Sequence, residues 1–187
     1  AVSGRMTRTA ILFTTHLIND RVRAHFFKLA EQLPAGYELY LFYDEQRLST
    51  RAVRKLAGHA VLPHEKNDWK RFKRPGHYFP EKIPGNEDGL LLSAMDRLPS
   101  YDCYWYLEYD MAFSGDWRTL FSAMEASEAD LLAVNMIRHD KIPHWPLWKS
   151  IEIPQGQELL PINWVRAHFA IARLSRRIYE VLVPIYQ

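Results

Sequence analysis

The sequence predicts an α/β fold of three layers, in which a mostly parallel central sheet is flanked by helices. Short apolar runs alternate with segments whose apolar residues recur at intervals of three and four positions, from residue 9 to residue 135. The runs are apolar through their middles, as in strands covered on both faces. The first strand, helix and second strand span about 35 residues, which is typical of a βαβ unit with a right-handed crossover.

Composition indicates an ordered domain. The 187 residues are enough for one domain with a sizeable core, and the 48% hydrophobic content argues against disorder over most of the length. The 24 basic and 22 acidic residues leave a net charge of +2, so nucleic acid is not an expected partner. We expect a single domain over residues 6–187, preceded by a tag remnant or disordered start over residues 1–5.

Cysteine content and hydropathy bear on the cellular location of the protein. The single cysteine, Cys103, lies in an apolar run and fits a reducing compartment. No apolar run approaches the roughly 18 residues that span a bilayer, and the start lacks a signal-peptide hydrophobic region. We therefore expect a cytoplasmic protein, with peripheral membrane contact as an open alternative.

Local signals predict the individual elements. Asn19 caps a helix that ends before Pro34, Asn86 caps a later helix, and Ser175 caps the last one. The predicted strands lie over residues 9–14, 37–43, 60–62, 101–111, 131–135 and 168–174. The predicted helices lie over residues 20–33, 49–56, 86–98, 117–127 and 175–183. Residues 138–165 are irregular and rich in proline and tryptophan.

Residues 63–85 differ in kind and predict a long ordered loop or a small lid. Prolines interrupt this stretch, and basic residues are interleaved with aromatic ones. Lys70 and Arg71 are candidates for neutralising a nucleotide diphosphate or an anionic acceptor. The alternative is a solvated face whose aromatic side chains pack under the domain, and no RNA-recognition motif accompanies the stretch.

Two carboxylates, Glu108 and Asp110, close the apolar strand predicted over residues 101–111. Alternation along an extended chain places both acids on one face and Tyr109 on the other. Burying two anionic groups is costly unless a cation, an arginine or backbone N–H groups meet them. Spacing alone leaves two alternatives open, a divalent metal site and a pairing with arginines or with the following turn.

The ends of the predicted parallel strands converge on one edge of the sheet, where a binding crevice is expected. Besides Glu108 and Asp110, the residues expected at this edge are Thr14, Thr15, His16, Asp44 and Glu45. Magnesium and manganese take carboxylate oxygens and complete their coordination with waters or phosphate oxygens. One or two of these acids together with a diphosphate would satisfy such an ion.

The order of elements and two patches of sequence resemble the GT-A class of nucleotide-sugar glycosyltransferases, in which an Asp-x-Asp motif ends such a strand. The first patch, Trp-Tyr-Leu-Glu-Tyr-Asp-Met-Ala-Phe-Ser-Gly-Asp-Trp at residues 105–117, looks like that of uncharacterised glycosyltransferase-like families with Glu-x-Asp at this place. The second, at residues 167–177, looks like the segment in which such families return to the acceptor side. The resemblance implies a GT-A type of fold and a nucleotide-sugar donor.

The resemblance also implies roles for individual residues. Asp110 would bind the manganese or magnesium ion that bridges the donor diphosphate. Glu108, one methylene longer than the aspartate at this position in the class, would hold the ribose or a metal-bound water, or serve as a second metal ligand. His168 would be a further metal ligand, with a structural histidine as the alternative.

The transfer step needs residues near the acceptor. An inverting transferase uses a general base within hydrogen-bond reach of the acceptor hydroxyl, and the choice between inversion and retention stays open. His139 and Asp140, which follow the strand predicted over residues 131–135, are the candidates for this base, and an ordinary polar loop is the alternative. Trp145 and Trp148 are candidates for an acceptor-sugar platform or for core anchors.

These observations predict a divalent-metal-dependent glycosyltransferase that moves a sugar from a nucleotide diphosphate donor to a hydroxyl of a glycan or lipid-linked saccharide. The alternative is a non-catalytic module that binds a glycan or nucleotide on the same fold. Nucleotidyl transfer is disfavoured, because residues 15–17 stand where such enzymes carry a glycine-rich, basic turn.

Overall fold

Strands and helices alternate along the chain in a computed structural model that describes residues 7–56, 58–64, 68, 72, 87–151, 153, 156 and 158–186. Within these ranges the strands are β1 Thr9–Thr15, β2 Tyr37–Asp44, β3 Ala60–His64, β4 Cys103–Glu108, β5 Leu131–Arg138 and β6 Val165–Ser175. The α-helices are α1 Asp20–Glu31, α2 Thr50–Val53, α3 Glu87–Arg97, α4 Trp117–Glu125 and α5 Arg176–Tyr186. Short 3-10 helices cover Arg54–Leu56, His139–Lys141, Pro146–Ser150 and Pro161–Asn163.

The sheet is mostly parallel. Its strand order is β3-β2-β1-β4-β6-β5. The first four strands in this order are parallel neighbours, and β6 runs antiparallel to both β4 and β5. The first and second strands along the chain are thus a parallel pair joined by α1, as the βαβ prediction requires.

Alternate residues of the strands enter two separate cores, one on each face of the sheet. Ala10 and Leu12 of β1 belong to the core shared with α3 and α5, whereas Ile11 and Phe13 belong to the core shared with α1, α2 and α4. All four side chains are fully buried, and burying a large apolar side chain stabilises a fold by about 1.5–3 kcal/mol. Helices cover both faces, so the predicted three-layer α/β class is confirmed.

Side-chain caps begin the helices where the sequence predicts them. The Asn19 side chain accepts a hydrogen bond from the Val22 backbone N–H at 2.9 Å. The Ser175 hydroxyl oxygen accepts one from the Ile178 N–H at 3.1 Å. Both contacts satisfy a donor that has no partner inside its own helix. The third predicted cap, Asn86, lies outside the described residues.

The central strand β4 is shorter than predicted. It ends at Glu108, because the Met111 N–H donates to the Glu108 carbonyl at 3.0 Å and turns the chain. Asp110 therefore lies in this turn and is exposed. The prediction that Glu108 and Asp110 occupy one face of a single extended strand is wrong, because alternation holds only while the backbone stays extended.

Strands β5 and β6 continue past the end of β4. Leu107 of β4 lies opposite Ile171 of β6, whereas β5 ends with Arg138 opposite Val165. Six positions of β6 separate these two pairs, but β6 bulges against β5, and about four positions of β5 cover the same span, which is roughly 14 Å at the rise of a strand. Residues 134–138 and 165–168, together with the irregular segment between them, are called the β5–β6 extension.

The length and hydropathy of the helices bear on whether any of them could span a membrane. In the described ranges, every helix falls short of the combined length and apolarity that crossing a lipid bilayer requires.

Candidate functional site

The carboxyl ends of β3, β2, β1 and β4 meet at one edge of the sheet, and four polar side chains share one face there. Thr14 lies opposite Glu108 of β4, and Asp44 lies opposite His64 of β3. In each of these strands, the residue two positions before the polar one belongs to the core beside α3 and α5. These four core residues are Leu12, Tyr106, Phe42 and Leu62. Strand alternation then places the four polar side chains on that same face.

Thr14 contributes a buried hydroxyl without a partner. Its Oγ1 atom is shielded from solvent and makes no hydrogen bond in the described part of the chain. Leaving a buried hydroxyl unpaired costs about 1–3 kcal/mol, so native folds seldom do it without a reason. A ligand atom at the crevice would supply the missing partner.

Glu108 and Asp110 are two carboxylates, two residues apart, at the carboxyl end of β4. Glu108 is partly buried at the last position of β4, and Asp110 is exposed two residues later. Two contacts hold the turn between them. The Tyr109 N–H donates to the Thr14 carbonyl of β1 at 2.9 Å, and a ring nitrogen of His25 in α1 lies 3.1 Å from the Tyr109 carbonyl. Burial lowers the pKa of His25, so this imidazole is neutral at pH 7.

His64 is a polar residue at this edge that the sequence reasoning missed. The side chain is 4% exposed, and its Nδ1 atom has no hydrogen-bond partner among the described residues. Its ring packs against Phe42 with centroids 4.8 Å apart. Burial lowers the pKa of the imidazole, and the neighbouring Asp44 and Asp68 carboxylates oppose part of that shift. The available signal was the histidine after Pro63, two residues beyond the strand predicted over residues 60–62.

The polar side-chain atoms of Thr15 and Asp44 form hydrogen bonds and an ion pair within local turns. The Thr15 hydroxyl donates to the Leu17 carbonyl at 2.5 Å and accepts from the Leu17 N–H at 3.2 Å. Asp44 accepts from the Gln46 N–H at 2.9 Å and pairs with Arg47 at 3.3 Å. These contacts shape the loops that follow β1 and β2.

His16 and the basic loop complete the predicted donor residues. His16 is exposed, and its ring meets Tyr109 edge-on with centroids 5.0 Å apart, which joins the loops after β1 and β4. Lys70 and Arg71 lie outside the described residues, so their predicted contact with a diphosphate stays a prediction.

The residues at this edge fit a shared metal site and not a protein-only cage. In the described ranges, no group of three or more His, Cys, Asp or Glu side chains is arranged to hold a metal ion. Magnesium and manganese need only one or two carboxylates when substrate phosphates and waters complete the shell. Glu108 and Asp110 provide that smaller donor set.

The predicted catalytic pair lies away from these carboxylates. The His139 N–H donates to the Trp164 carbonyl at 2.9 Å, at the far end of the β5–β6 extension. Asp140 pairs with Arg138 at 3.0 Å. This end lies about four strand positions, or roughly 14 Å, beyond β4, so His139 and Asp140 do not lie beside Glu108. Their catalytic role stays a prediction.

His168 lies between the two regions. It is exposed on β6 opposite Val134, three positions before Ile171. Because β6 shifts register against β5 between Ala133 and Val134, His168 lies only about one strand position past the level of Tyr106, close to that of Leu107.

The predicted acceptor tryptophans form an aromatic cluster within the β5–β6 extension. Trp148 is 6% exposed, and its indole N–H donates to the Ile142 carbonyl at 2.8 Å. Trp145 meets Trp148 edge-on at 4.8 Å, and His139 packs against Trp148 at 5.3 Å and against Trp164 at 5.4 Å. Trp148 is therefore the buried anchor of the cluster, while Trp145 keeps a partly exposed ring.

Comparisons with known proteins bear on the fold. No protein-family model matches the chain, and no curated protein does. Solved structures that are similar to it include apo mouse xyloside xylosyltransferase 1, at 14% identity and a TM-score of 0.42, with 96% of this chain and 70% of that one covered. A Bacillus anthracis protein named as a glucose-1-phosphate thymidylyltransferase, in complex with sucrose, is similar at 10% identity and a TM-score of 0.49, over 94% of this chain and 74% of that one.

A third similar structure is a glycosyltransferase involved in the glycosylation of the major capsid of PBCV-1. It shares 12% identity with this chain at a TM-score of 0.42, and the match covers 96% of this chain and 65% of that one. All three similar proteins are transferases by name. With every TM-score below 0.5, their activities are not carried over to this chain.

Proposed function

We propose that this chain transfers a sugar from a nucleotide diphosphate donor to a hydroxyl acceptor, on a fold of the GT-A type. The observation that carries the proposal is the pairing of Thr14 with Glu108 at the carboxyl edge, with Asp110 exposed in the adjoining turn. The unpaired Thr14 hydroxyl and the two carboxylates lie at the end of parallel strands, where α/β folds bind their ligands.

Each residue at this edge has a task in the proposal. Asp110 and Glu108 hold a magnesium or manganese ion together with the donor diphosphate, and His168 is a further candidate ligand. When bound, such an ion neutralises charge on the departing nucleoside diphosphate. Glu108 also accepts a hydrogen bond from a ribose hydroxyl, and Thr14 donates its hydroxyl to the nucleotide.

The remaining donor contacts come from the neighbouring loops. The exposed His16 contacts the nucleotide directly, whereas Thr15 and Asp44 support it through the turns that they hold. Lys70 and Arg71 are proposed to neutralise the diphosphate.

The acceptor is proposed to bind along the β5–β6 extension. Trp145 offers a partly exposed ring for the apolar face of a sugar, and the buried Trp148 holds that ring in place. His139 and Asp140 are proposed as the general base at an acceptor hydroxyl. Support for a lipid-linked acceptor or a peripheral membrane contact comes from exposed apolar side chains in the same segment, namely Val134, Met136, Leu147, Ile153, Leu159, Leu160, Ile162 and Val165.

Calorimetric titration tests the donor site. The chain is titrated with the diphosphates of uridine, guanosine, adenosine and thymidine, each with manganese and with a chelator. We expect one of them to bind more tightly with manganese. Asp110→Asn should weaken that binding by about 100-fold, in line with the loss of one carboxylate beside a cation.

The matched control is Glu31→Gln, an exposed carboxylate at the end of α1. It should leave nucleotide affinity unchanged. The proposal fails if no nucleoside diphosphate binds, or if Asp110→Asn binds as tightly as the unmodified chain. Tight binding without manganese and without release of nucleoside diphosphate from a sugar donor would identify the binding module instead.

A further inference from the structure

Arg166 of β6 lies inside the β5–β6 extension without an ion pair to any acid among the described residues. Its guanidinium carbon stands 5.4 Å from the ring centroid of Trp145, in a cation–π arrangement. The side chain is partly buried, and its Nε atom is shielded from solvent with no hydrogen-bond partner in the described part of the chain.

Arg166 differs from comparable arginines because its terminal nitrogens also have no hydrogen-bond partner among the described residues, whereas Arg23 and Arg173 share only the unpaired Nε atom. The described arginines that are buried or partly buried otherwise have partners: Arg8 pairs with Glu38, Arg23 with Asp20, Arg173 donates to three carbonyls, and Arg176 donates to the Met95 carbonyl. A shielded Nε–H without an acceptor is unfavourable, while the terminal N–H groups of the partly exposed guanidinium are open to a ligand.

The indole ring of Trp145, which lies beneath Arg166, is held in place by its packing against Trp148. Trp145 packs edge-on against Trp148, and Trp148 is pinned by its hydrogen bond to the Ile142 carbonyl. A guanidinium held on such a platform is oriented before any ligand arrives, which lowers the entropy lost on binding. Its planar fork matches the two oxygens of a carboxylate or phosphate.

The position of Arg166 separates it from the donor site. It lies five positions before Ile171, the residue opposite Leu107 near the end of β4. Because β6 bulges against β5, the separation along the sheet is on the order of 10 Å. Titration in an Asp110→Asn background separates an anion held here from a diphosphate held at Glu108 and Asp110.

We propose that Arg166, supported by Trp145, binds an anionic group carried by the acceptor saccharide, either a phosphate ester or a carboxylate. This inference rests on the proposed function, since it names the chemical class of its acceptor. The lack of a partner acid makes an exogenous anion the natural ligand of Arg166, and the neighbouring aromatic ring suits the sugar that carries the anion.

Calorimetry with four probes tests the site. Glucose 6-phosphate, glucuronic acid, glucose and inorganic phosphate are titrated into the full chain and into the Asp110→Asn variant, in which the donor site is disabled. We expect at least one anionic sugar to bind in both backgrounds, more tightly than glucose or inorganic phosphate. The tighter of the two anionic sugars identifies phosphate ester or carboxylate.

Substitutions then assign the binding to Arg166. Arg166→Gln should weaken the anionic sugar at least tenfold, and Arg166→Lys should weaken it less, since the charge stays but the fork is lost. Lys149→Gln, an exposed cation in the same segment, is the matched control and should change nothing. Trp145→Leu should also weaken binding with Arg166 intact, which covers the case of an Arg166 variant that fails to fold.

The inference is overturned if glucose or inorganic phosphate binds as tightly as the anionic sugars, if no anionic sugar binds, or if Arg166→Gln and Trp145→Leu leave binding unchanged. Nucleoside diphosphate binding is measured separately. Anionic sugar binding in a chain that binds no nucleotide would therefore defeat the proposed function, whereas nucleotide binding alone would defeat this inference.

Discussion

The tyrosine hydroxyls and Arg8 at the amino edge of the central sheet are paired, whereas Thr14 and His64 at the carboxyl edge are not paired with any of the described residues. At the amino edge, Arg8 pairs with Glu38 at 3.0 Å and lies 4.8 Å from the ring centroid of Tyr101, and the hydroxyls of Tyr40 and Tyr101 are 2.6 Å apart. Burial, followed by the contacts with Tyr40 and Glu38, raises the pKa of Tyr101. At the carboxyl edge, the Thr14 hydroxyl and His64 Nδ1 are buried without partners in the described chain. Groups that satisfy one another stabilise the fold, whereas unsatisfied groups at a crevice are available to a ligand.

The largest expected effect comes from removing Arg173, near the amino edge, whose terminal nitrogens are bonded although its Nε atom has no partner among the described residues. Arg173 is 4% exposed and donates to the carbonyls of Met124, Ser127 and Ala129 at 2.7, 2.7 and 2.9 Å. Arg173→Met leaves these carbonyls without their donor, so we expect a loss of about 3 kcal/mol in the free energy of unfolding, measured by urea denaturation.

The exposed Arg118 provides the control for that substitution. It donates to a single carbonyl, that of Glu31, at 3.4 Å. Arg118→Met should destabilise far less than Arg173→Met. Equal losses for the two variants would mean that the buried network at the amino edge does not carry the stability assigned to it.

Deleting one hydroxyl at each edge gives the sharpest test of the comparison. Thr14→Val removes a buried hydroxyl that has no partner, so the free energy of unfolding should stay the same or rise by up to about 1 kcal/mol. Affinity for the nucleoside diphosphate should fall about tenfold, or about 1.4 kcal/mol. Urea denaturation and calorimetry measure the two effects.

Tyr40→Phe is the matched hydroxyl deletion at the amino edge. It breaks the contact with Tyr101 and should cost about 1 kcal/mol of stability, with nucleotide affinity unchanged. If Thr14→Val destabilises as Tyr40→Phe does and leaves binding intact, the two edges do not differ in the way described.

The smallest expected effect is on the pH dependence of stability. Burial lowers the pKa of folded His64 below its ordinary value near 6.5, so the unfolded chain binds protons at a higher pH than the folded one. Stability should therefore fall as the pH falls from 7.5 through 6.5 toward 5. His64→Gln should make this slope shallower, as followed by urea midpoints across that range.

His25 contributes a slope of the same sign, because burial lowers its pKa as well. The His64→Gln variant should therefore keep part of the dependence. An unchanged slope in that variant would show that His64 is not the buried neutral imidazole described at the carboxyl edge.

Patterns within short stretches predicted most of the fold. The apolar runs, the intervals of three and four, and the caps at Asn19 and Ser175 depend on residues close in sequence, and the structure bears them out. The parallel pairing of β1 and β2 could also be predicted from the sequence, because a βαβ unit admits few topologies. The meeting of Thr14, Asp44 and Glu108 at one edge was then a geometric consequence.

Features that depend on a single turn or on distant contacts were missed. The hydrogen bond from Met111 to Glu108 ends β4 early and moves Asp110 off the strand. The length of the β5–β6 extension depends on pairing between strands whose sequences are separated by an irregular segment. Neither is encoded in local periodicity, which is why the sequence could not say how far His139 and Asp140 lie from the carboxylates.

The sequence by itself determined the α/β class, the layers and the edge at which Thr14 and Glu108 meet, because those follow from periodicity and chain direction. Only the tertiary structure decided which polar groups at that edge are left without partners, and that Arg166 rests on Trp145 with no ion pair to an acid of the described chain. The physical reason is that satisfaction of a buried polar group depends on every element packed around it, and that set is known only after the chain has folded.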